Sequence, residues 1–317
     1  MDRRNWILLF ALAALWGASY LFIKIGLDDL SPAAVVFTRT ALAALVLLPF
    51  AVRSGGMAPL WRRAPWLVAL GAIQVAGPFL LISAGERHIA SSLAGILVAS
   101  APIFTAILAI WLDHSERLST PGVVGVAIGL VGVALLLGVD LGGSSAALLG
   151  GLMVVLASVG YAIGGFALKR WFTGYQPLAL VAGTMSASAL MTLPLMLIDL
   201  PDHVGTDTVG AMCALGLGGT GIAFVIYYTL NGTVGPTRTS LVAYVAPVFA
   251  VIYGVSLLDE DFGPGTALGI VLIVGGSWLA ARSPVPERVA DPSGRELLGR
   301  QLAAGRGDVA TAREPDG

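Results

Sequence analysis

The chain has 317 residues, of which 56% are hydrophobic and 12% charged, with a formal net charge of −1. With a mean hydropathy of +0.86, that composition excludes an ordinary soluble globule, whose water-facing surface needs far more polar cover. The solvent it implies is lipid.

An α-helix needs roughly 17 to 25 predominantly apolar residues to cross a bilayer. Ten such stretches follow one another, at about 6–26, 33–53, 66–86, 92–112, 121–139, 147–168, 177–198, 208–230, 240–258 and 264–281. Their apolar character is continuous rather than alternating, which excludes a β-barrel. The expected class is therefore an all-α integral membrane protein with ten transmembrane helices. From Trp6 to Gly26 the first stretch is long enough to persist as a helix, so the N-terminus is expected to stay attached rather than be cleaved as a signal. Residues 283–317 carry Pro, Arg, Gly and Asp with little apolar material to bury, and are expected to form a disordered cytoplasmic tail.

Taken in order, the spans strand several polar and aromatic groups at bilayer depth. In the first, Trp16, Ser19 and Tyr20 lie at i, i+3 and i+4 and share one face. Arg39 sits about two turns into the second, roughly 10 Å by helical rise. Gln74, in the third, would leave its amide unpaired if it faced lipid; it is expected to point inward, either to substrate or to an interhelical hydrogen bond. Pro102, in the fourth, removes a backbone hydrogen bond and frees a carbonyl, as Pro247 does in the ninth, so each can hinge, line a cavity or simply kink its helix. Gly122, Gly125, Gly129 and Gly132 line one face of the fifth span and Gly269 and Gly276 of the tenth, the small faces that close helix crossings need. Tyr161 in the sixth span, Tyr227, Tyr228 and Asn231 in the eighth and Tyr244 in the ninth complete the polar set; interfacial anchoring is the competing reading for the aromatics. Cys213 has no partner for an intrachain disulfide and reads as a small core residue.

Residues 16–116 recur 145 positions later. Pro32 maps to Pro177, Pro49 to Pro194, Gly71 to Gly216, Lys24 to Lys169, and Ala101-Pro102-Ile103-Phe104 to Ala246-Pro247-Val248-Phe249. The chain is read as two five-helix repeats, 6–139 and 147–281. Basic residues fix the expected orientation: Arg3, Arg4, Arg53, Arg62, Arg63, Arg117, Lys169, Arg170, Arg238 and the six tail arginines share one side, against Lys24 and Arg87 on the other. The positive-inside rule gives N-in and C-in. Because five is odd, the second copy must enter the membrane from the opposite side, and an inverted repeat of this kind supports alternating access. On helix 1 Trp16 then has Tyr161 as its counterpart, and the pair could clamp an apolar side chain or sit over an ammonium.

Leu15-Trp16-Gly17-Ala18-Ser19, Phe37-Thr38-Arg39, Ala101-Pro102-Ile103-Phe104 and Glu116-Arg117-Leu118-Ser119 resemble the EamA family of the drug/metabolite transporter superfamily. So do Ala246-Pro247-Val248-Phe249, Asp259-Glu260 and the stretch Gly269 to Gly276 in the second copy. The resemblance covers about residues 6–281. It implies a ten-helix carrier with a central cavity in a bacterial inner membrane, commonly exporting amino acids or related metabolites. It also implies a peripheral contact for spans 5 and 10, between halves or between protomers, which leaves a homodimer open. The second half departs from the pattern: Gly160-Tyr161-Ala162-Ile163-Gly164 stands where the first has Leu15 to Ser19, and Thr184 replaces the arginine.

For Arg39 three readings stand: snorkelling to headgroups, an ion pair with Asp28, Asp29 or Glu86, and contact with a substrate carboxylate. The ion pair takes precedence, because the resemblance places an arginine here irrespective of substrate. The expected function is secondary transport of small neutral or zwitterionic metabolites. The substrate-binding candidates are Trp16, Ser19, Tyr20, Gln74, Tyr161, Tyr227 and Tyr244, and the gating or structural ones Arg39, Pro102 and Pro247. The partners expected are that small molecule and the lipid bilayer, with no nucleic acid. No cofactor or metal is expected, since the two lysines belong to no phosphate loop and His88, His114 and His203 are remote from one another in sequence. A drug or metabolite carrier of other direction is the alternative. A membrane-embedded enzyme would need clustered reactive groups at depth, and a channel would need charge rings or filter repeats.

Overall fold

The computed structural model describes residues 1–112, 120–139, 144–234 and 239–281. The side chains of Tyr228 and Asn231, residues 113–119 with His114, Glu116 and Arg117, Asp140, Arg238, Arg282 and residues 283–317 lie outside the described residues. Every regular element described is helical.

Among the described residues ten helices carry the fold: α1 Arg3–Gly26, α2 Pro32–Arg53, α3 Ala64–Gly85, α4 (Ser91–Val98 with Ala101–Leu112), α5 Thr120–Val139, α6 Ser145–Phe172, α7 Pro177–Ile198, α8 (Thr206 to Val234), α9 Val242–Leu257 and α10 Pro264–Ala281. Among the described residues nine helices are long and apolar enough to cross a membrane, while α9, at 16 residues, is shorter than the expected 240–258. A short helix, Met57–Trp61, links α2 to α3. Local chemistry sets several starts. Asp2 accepts the Asn5 N–H at 2.9 Å and Ser31 the Ala34 N–H at 3.3 Å, satisfying amides that the first helical turn leaves free. Pro32 and Pro177 stand at the first position of α2 and α7, where proline's missing N–H does no harm. Large apolar side chains such as Leu45, Trp111, Leu190, Ile198 and Val271 are exposed on the outside, as lipid contact requires.

The packing partners exchange when each helix is replaced by the one five later. α2 packs against α7 and α5 against α10; α1 packs on α9 as α6 does on α4, and α3 on α6 as α8 does on α1. The α5–α10 seam uses the glycine faces. A β-carbon on Gly276 would lie 2.5 Å from the Gly129 nitrogen, and one on Gly125 2.4 Å from the Ala280 nitrogen. The two helices therefore meet backbone to backbone, within one chain and between its halves.

The halves share a further feature that composition does not announce. α3 winds as a π-helix at Ala72–Ala76 and α8 at Ala214–Ile222, equivalent positions under the 145-residue offset. Such wide turns break the usual backbone ladder and concentrate at functional sites. The prolines behave differently. α4 is interrupted just before Pro102, and the Leu97 and Ala99 carbonyls accept hydroxyl hydrogen bonds from Ser158 at 3.3 Å and Ser277 at 2.8 Å. α9 runs on through Pro247 without a break.

Candidate functional site

A cavity of about 370 Å³ lies where the halves meet. α1 supplies Trp16, Ser19 and Tyr20, and α2 supplies Arg39. Gln74 and Phe79 come from α3, Tyr161 from α6, Thr184 from α7, Phe224 and Tyr227 from α8, and Pro247 from α9. The volume falls in the usual small-ligand range of roughly 300–1,000 Å³, and an apolar wall with a few convergent polar groups is the usual composition of such sites.

Arg39 is the charged residue among the described lining residues. It is 4% exposed. Its Nε and Nη2 each donate to the Thr220 hydroxyl at 3.2 Å, and its guanidinium carbon lies 3.7 Å from the Phe79 ring centroid. Thr220 in turn donates to the Leu215 carbonyl at 2.9 Å, five residues back, across the π-helical turn. Among the described residues no carboxylate is within ion-pairing distance of Arg39. Asp29 instead accepts the Thr208 hydroxyl at 2.6 Å and the Gly205 N–H at 2.8 Å, and Glu86 forms no side-chain hydrogen bond. The expected ion pair with Asp28, Asp29 or Glu86 is thus replaced by a hydroxyl tether and an aromatic face.

Trp16 contacts Tyr227 at 5.4 Å and Phe224 at 6.1 Å between ring centroids. Among the described ring contacts none joins Trp16 to Tyr161, although both line the cavity. Ser19 donates to the Leu15 carbonyl at 3.0 Å, and a β-carbon on Gly219 would lie 2.6 Å from its hydroxyl, so α8 crosses α1 closely there. Gln74 sits in the π-helical turn of α3, its side chain packed against Gly164. Tyr244 does not reach the cavity. It lines a separate apolar groove with Trp6 and Trp278 and is 3.3 Å from the Ser277 carbonyl. Pro102 is likewise absent from the wall, and Pro247 is in it. Phe79, Thr220 and Phe224 were not singled out from sequence; a threonine and two phenylalanines in apolar runs carry no local signal, and only the wide turns and helix crossings bring them to Arg39 and Trp16.

At one end of the bundle two carboxylates tie loops to helix starts. Glu260, after α9, accepts the Ser91 and Ser92 N–H groups at 2.6 and 2.9 Å, and Asp29, after α1, holds the start of α8. The hydrogen bonds from Thr208 and Gly205 hold the Asp29 carboxyl below its ordinary range. Burial pushes Glu260 up, but the hydrogen bonds from Ser92 and Ser91 together bring it below the ordinary value.

The apolar helices of the described residues, folded around a cavity of this make-up, define a multi-pass membrane carrier. The EamA-like transporter family pattern matches residues 4–138 and again 148–282, so the chain belongs to that family, within the drug/metabolite transporter superfamily. The inner membrane transporter YedA of Escherichia coli K12 is 29% identical, covering 91% of this chain and 96% of its own. A protein of Streptantibioticus cattleyicolor named a "probable terminal-alkyne amino-acid exporter" is 26% identical over 91% and 96%. An Escherichia coli K12 protein named a "probable amino-acid metabolite efflux pump" is 24% identical over 88% and 95%. One crystal structure shares the fold with a TM-score of 0.63 at 22% identity, covering 88% of this chain and 97% of the other. The whole is that of a multi-pass bacterial inner-membrane transporter.

Proposed function

We propose that the chain is an alternating-access secondary transporter that exports small zwitterionic metabolites such as amino acids. The observation that carries this reading is Arg39: a buried guanidinium in the wall of an aromatic cavity, with no carboxylate partner among the described residues. An unpaired charge at such depth is costly and marks function, and a substrate carboxylate supplies the missing counter-charge in the fork geometry that arginine favours. Trp16, Tyr227 and Phe224 offer faces to the ammonium or the side chain. The exchange of packing partners between halves is what two inverted five-helix repeats would produce, with both termini cytoplasmic, and such repeats rock about a site at their interface. The names of two relatives support amino-acid export.

Purified protein in detergent, challenged with an amino acid, the amine lacking its carboxylate and the acid lacking its amine, tests the site. Thermal stabilisation by the amino acid but not by the amine is expected, lost in Arg39→Gln. Equal stabilisation by the amine would overturn carboxylate recognition. Direction is read from metabolites released by a sensitised host expressing the wild type or the Trp16→Ala, Gln74→Ala double variant; no change in any exported pool would overturn export.

A further inference from the structure

Between the end of α3 and the start of α4, the Ser83 hydroxyl and both carboxyl oxygens of Glu86 are buried without a hydrogen-bond partner, and the Ser91 hydroxyl beside them has at most the Glu260 carboxylate to turn to. Buried polar groups are otherwise almost always paired, so such a cluster calls for a ligand or a change of state. Ser83 and Glu86 are three residues apart at a helix end and share its face. Glu86 itself is fully buried.

The charged and titratable groups around it come from several elements. Lys24 on α1 donates to the backbone carbonyls of Glu86 and Ile89 rather than to the carboxyl. The charges of Lys24, of Glu260 from the loop after α9, and of Arg39 on α2 act on Glu86 through space, Lys24 most strongly, as Glu86 does on Tyr20 of α1; Tyr20 also feels Tyr161 of α6. Arg87 and His88 occupy the same turn. No basic nitrogen of these contacts the carboxyl oxygens, and Glu260 adds a second negative charge. An ionised carboxylate buried without hydrogen bonds is far costlier than its neutral acid.

We propose that Glu86 is a proton-binding site of this carrier, holding a proton while this end of the bundle is closed and giving it to water when the end opens. Glu260 on Ser91 and Ser92, and Asp29 on Gly205 and Thr208, close this end, and their release admits water to the Ser83–Glu86–Ser91 cluster. What the proton is coupled to rests on the transport reading above; whether it is bound does not.

Infrared spectra of the full chain in liposomes at neutral pH test the binding directly. Wild type is expected to show a carboxylic-acid carbonyl band that shifts on ¹³C-glutamate labelling, disappears in Glu86→Gln and returns at another frequency in Glu86→Asp. No such band in wild type, or its persistence in Glu86→Gln, overturns the site; should Glu86→Gln fail to fold, the label and the aspartate variant decide. In the same liposomes a mixture of radiolabelled amino acids reports coupling: an imposed pH gradient is expected to change the wild-type rate at least threefold and to have no effect on Glu86→Gln. A wild-type rate indifferent to the gradient overturns coupling. A wild type that moves none of the mixture overturns the transport reading while the infrared result still decides the proton site.

Discussion

Arg39 and Thr220 join the two halves of the chain: both donor atoms that the guanidinium turns toward α8 end on one threonine hydroxyl oxygen at 3.2 Å. A hydrogen bond to a charged group contributes about 1.5–3 kcal/mol. Thr220→Val is therefore expected to lower unfolding stability in detergent by about that amount, and Thr220→Ser to restore it. Arg39→Gln is expected to abolish uptake into liposomes, with Arg39→Lys retaining part of it. Intact transport in both arginine variants at normal expression would remove any role for the charge.

The α5–α10 seam yields a steric prediction. Gly276→Ala places a methyl group 2.5 Å from the Gly129 nitrogen; overpacking of this kind costs typically about 1–3 kcal/mol, and backbone cannot yield as a side chain tip does. Gly138→Ala, with open space at its β-carbon, is the control and is expected to leave thermal stability unchanged. Equal melting curves for the two variants would show that the seam is looser than its geometry.

How much of this was legible in the sequence depends on which force encodes it. Hydropathy gave the spans because lipid demands long apolar runs, nine of them long enough to cross among the described residues and α9 shorter than expected, and the glycine faces of α5 and α10 were readable because three- and four-residue spacing is the helix's own period. Trp16, Tyr20, Gln74, Tyr161 and Tyr227 were placed toward a cavity by the anomaly of polar or amphipathic groups at depth. Arg39 was found for the same reason, but its partners were not: Thr220 and Phe79 reach it only through tertiary packing and a π-helical turn, which no residue pattern announces. Tyr244 passed the same polarity test and still lies on another surface, since polarity does not give azimuth. Glu86 was legible as a helix-end carboxylate, and its burial only from the loops folded over it.

The loop carboxylates carry a pH dependence. A carboxyl held below its ordinary range in the folded protein contributes stability that is complete above that range and is lost as pH falls through the depressed value. Both Asp29 and Glu260 are shifted in that direction. The melting temperature of wild type is expected to drop on acidification through and below the carboxylate range, and that of the Asp29→Asn, Glu260→Gln double variant to drop less. Parallel curves would show that neither carboxylate stabilises this end.

The Trp16 cluster bears on selectivity. Aromatic pairs contribute about 0.5–1.5 kcal/mol beyond the area they bury, and Trp16 touches both Phe224 and Tyr227. For whichever amino acid the host releases, Trp16→Ala is expected to raise the half-saturating concentration by roughly three- to tenfold, and Trp16→Phe by much less. An unchanged value in Trp16→Ala would place the ring outside the bound substrate's reach.

The wide turns in α3 and α8 give both helices something that straight spans lack, a register that can be reset without pulling an end through the bilayer. A residue absorbed from a π turn into regular α-helix turns the adjoining half by about 100° and moves it by about 1.5 Å along the axis. Gln74 and Thr220 both sit in these turns. One such step in either helix would swing a polar side chain to a different wall while both ends of the span stay at their own membrane surface.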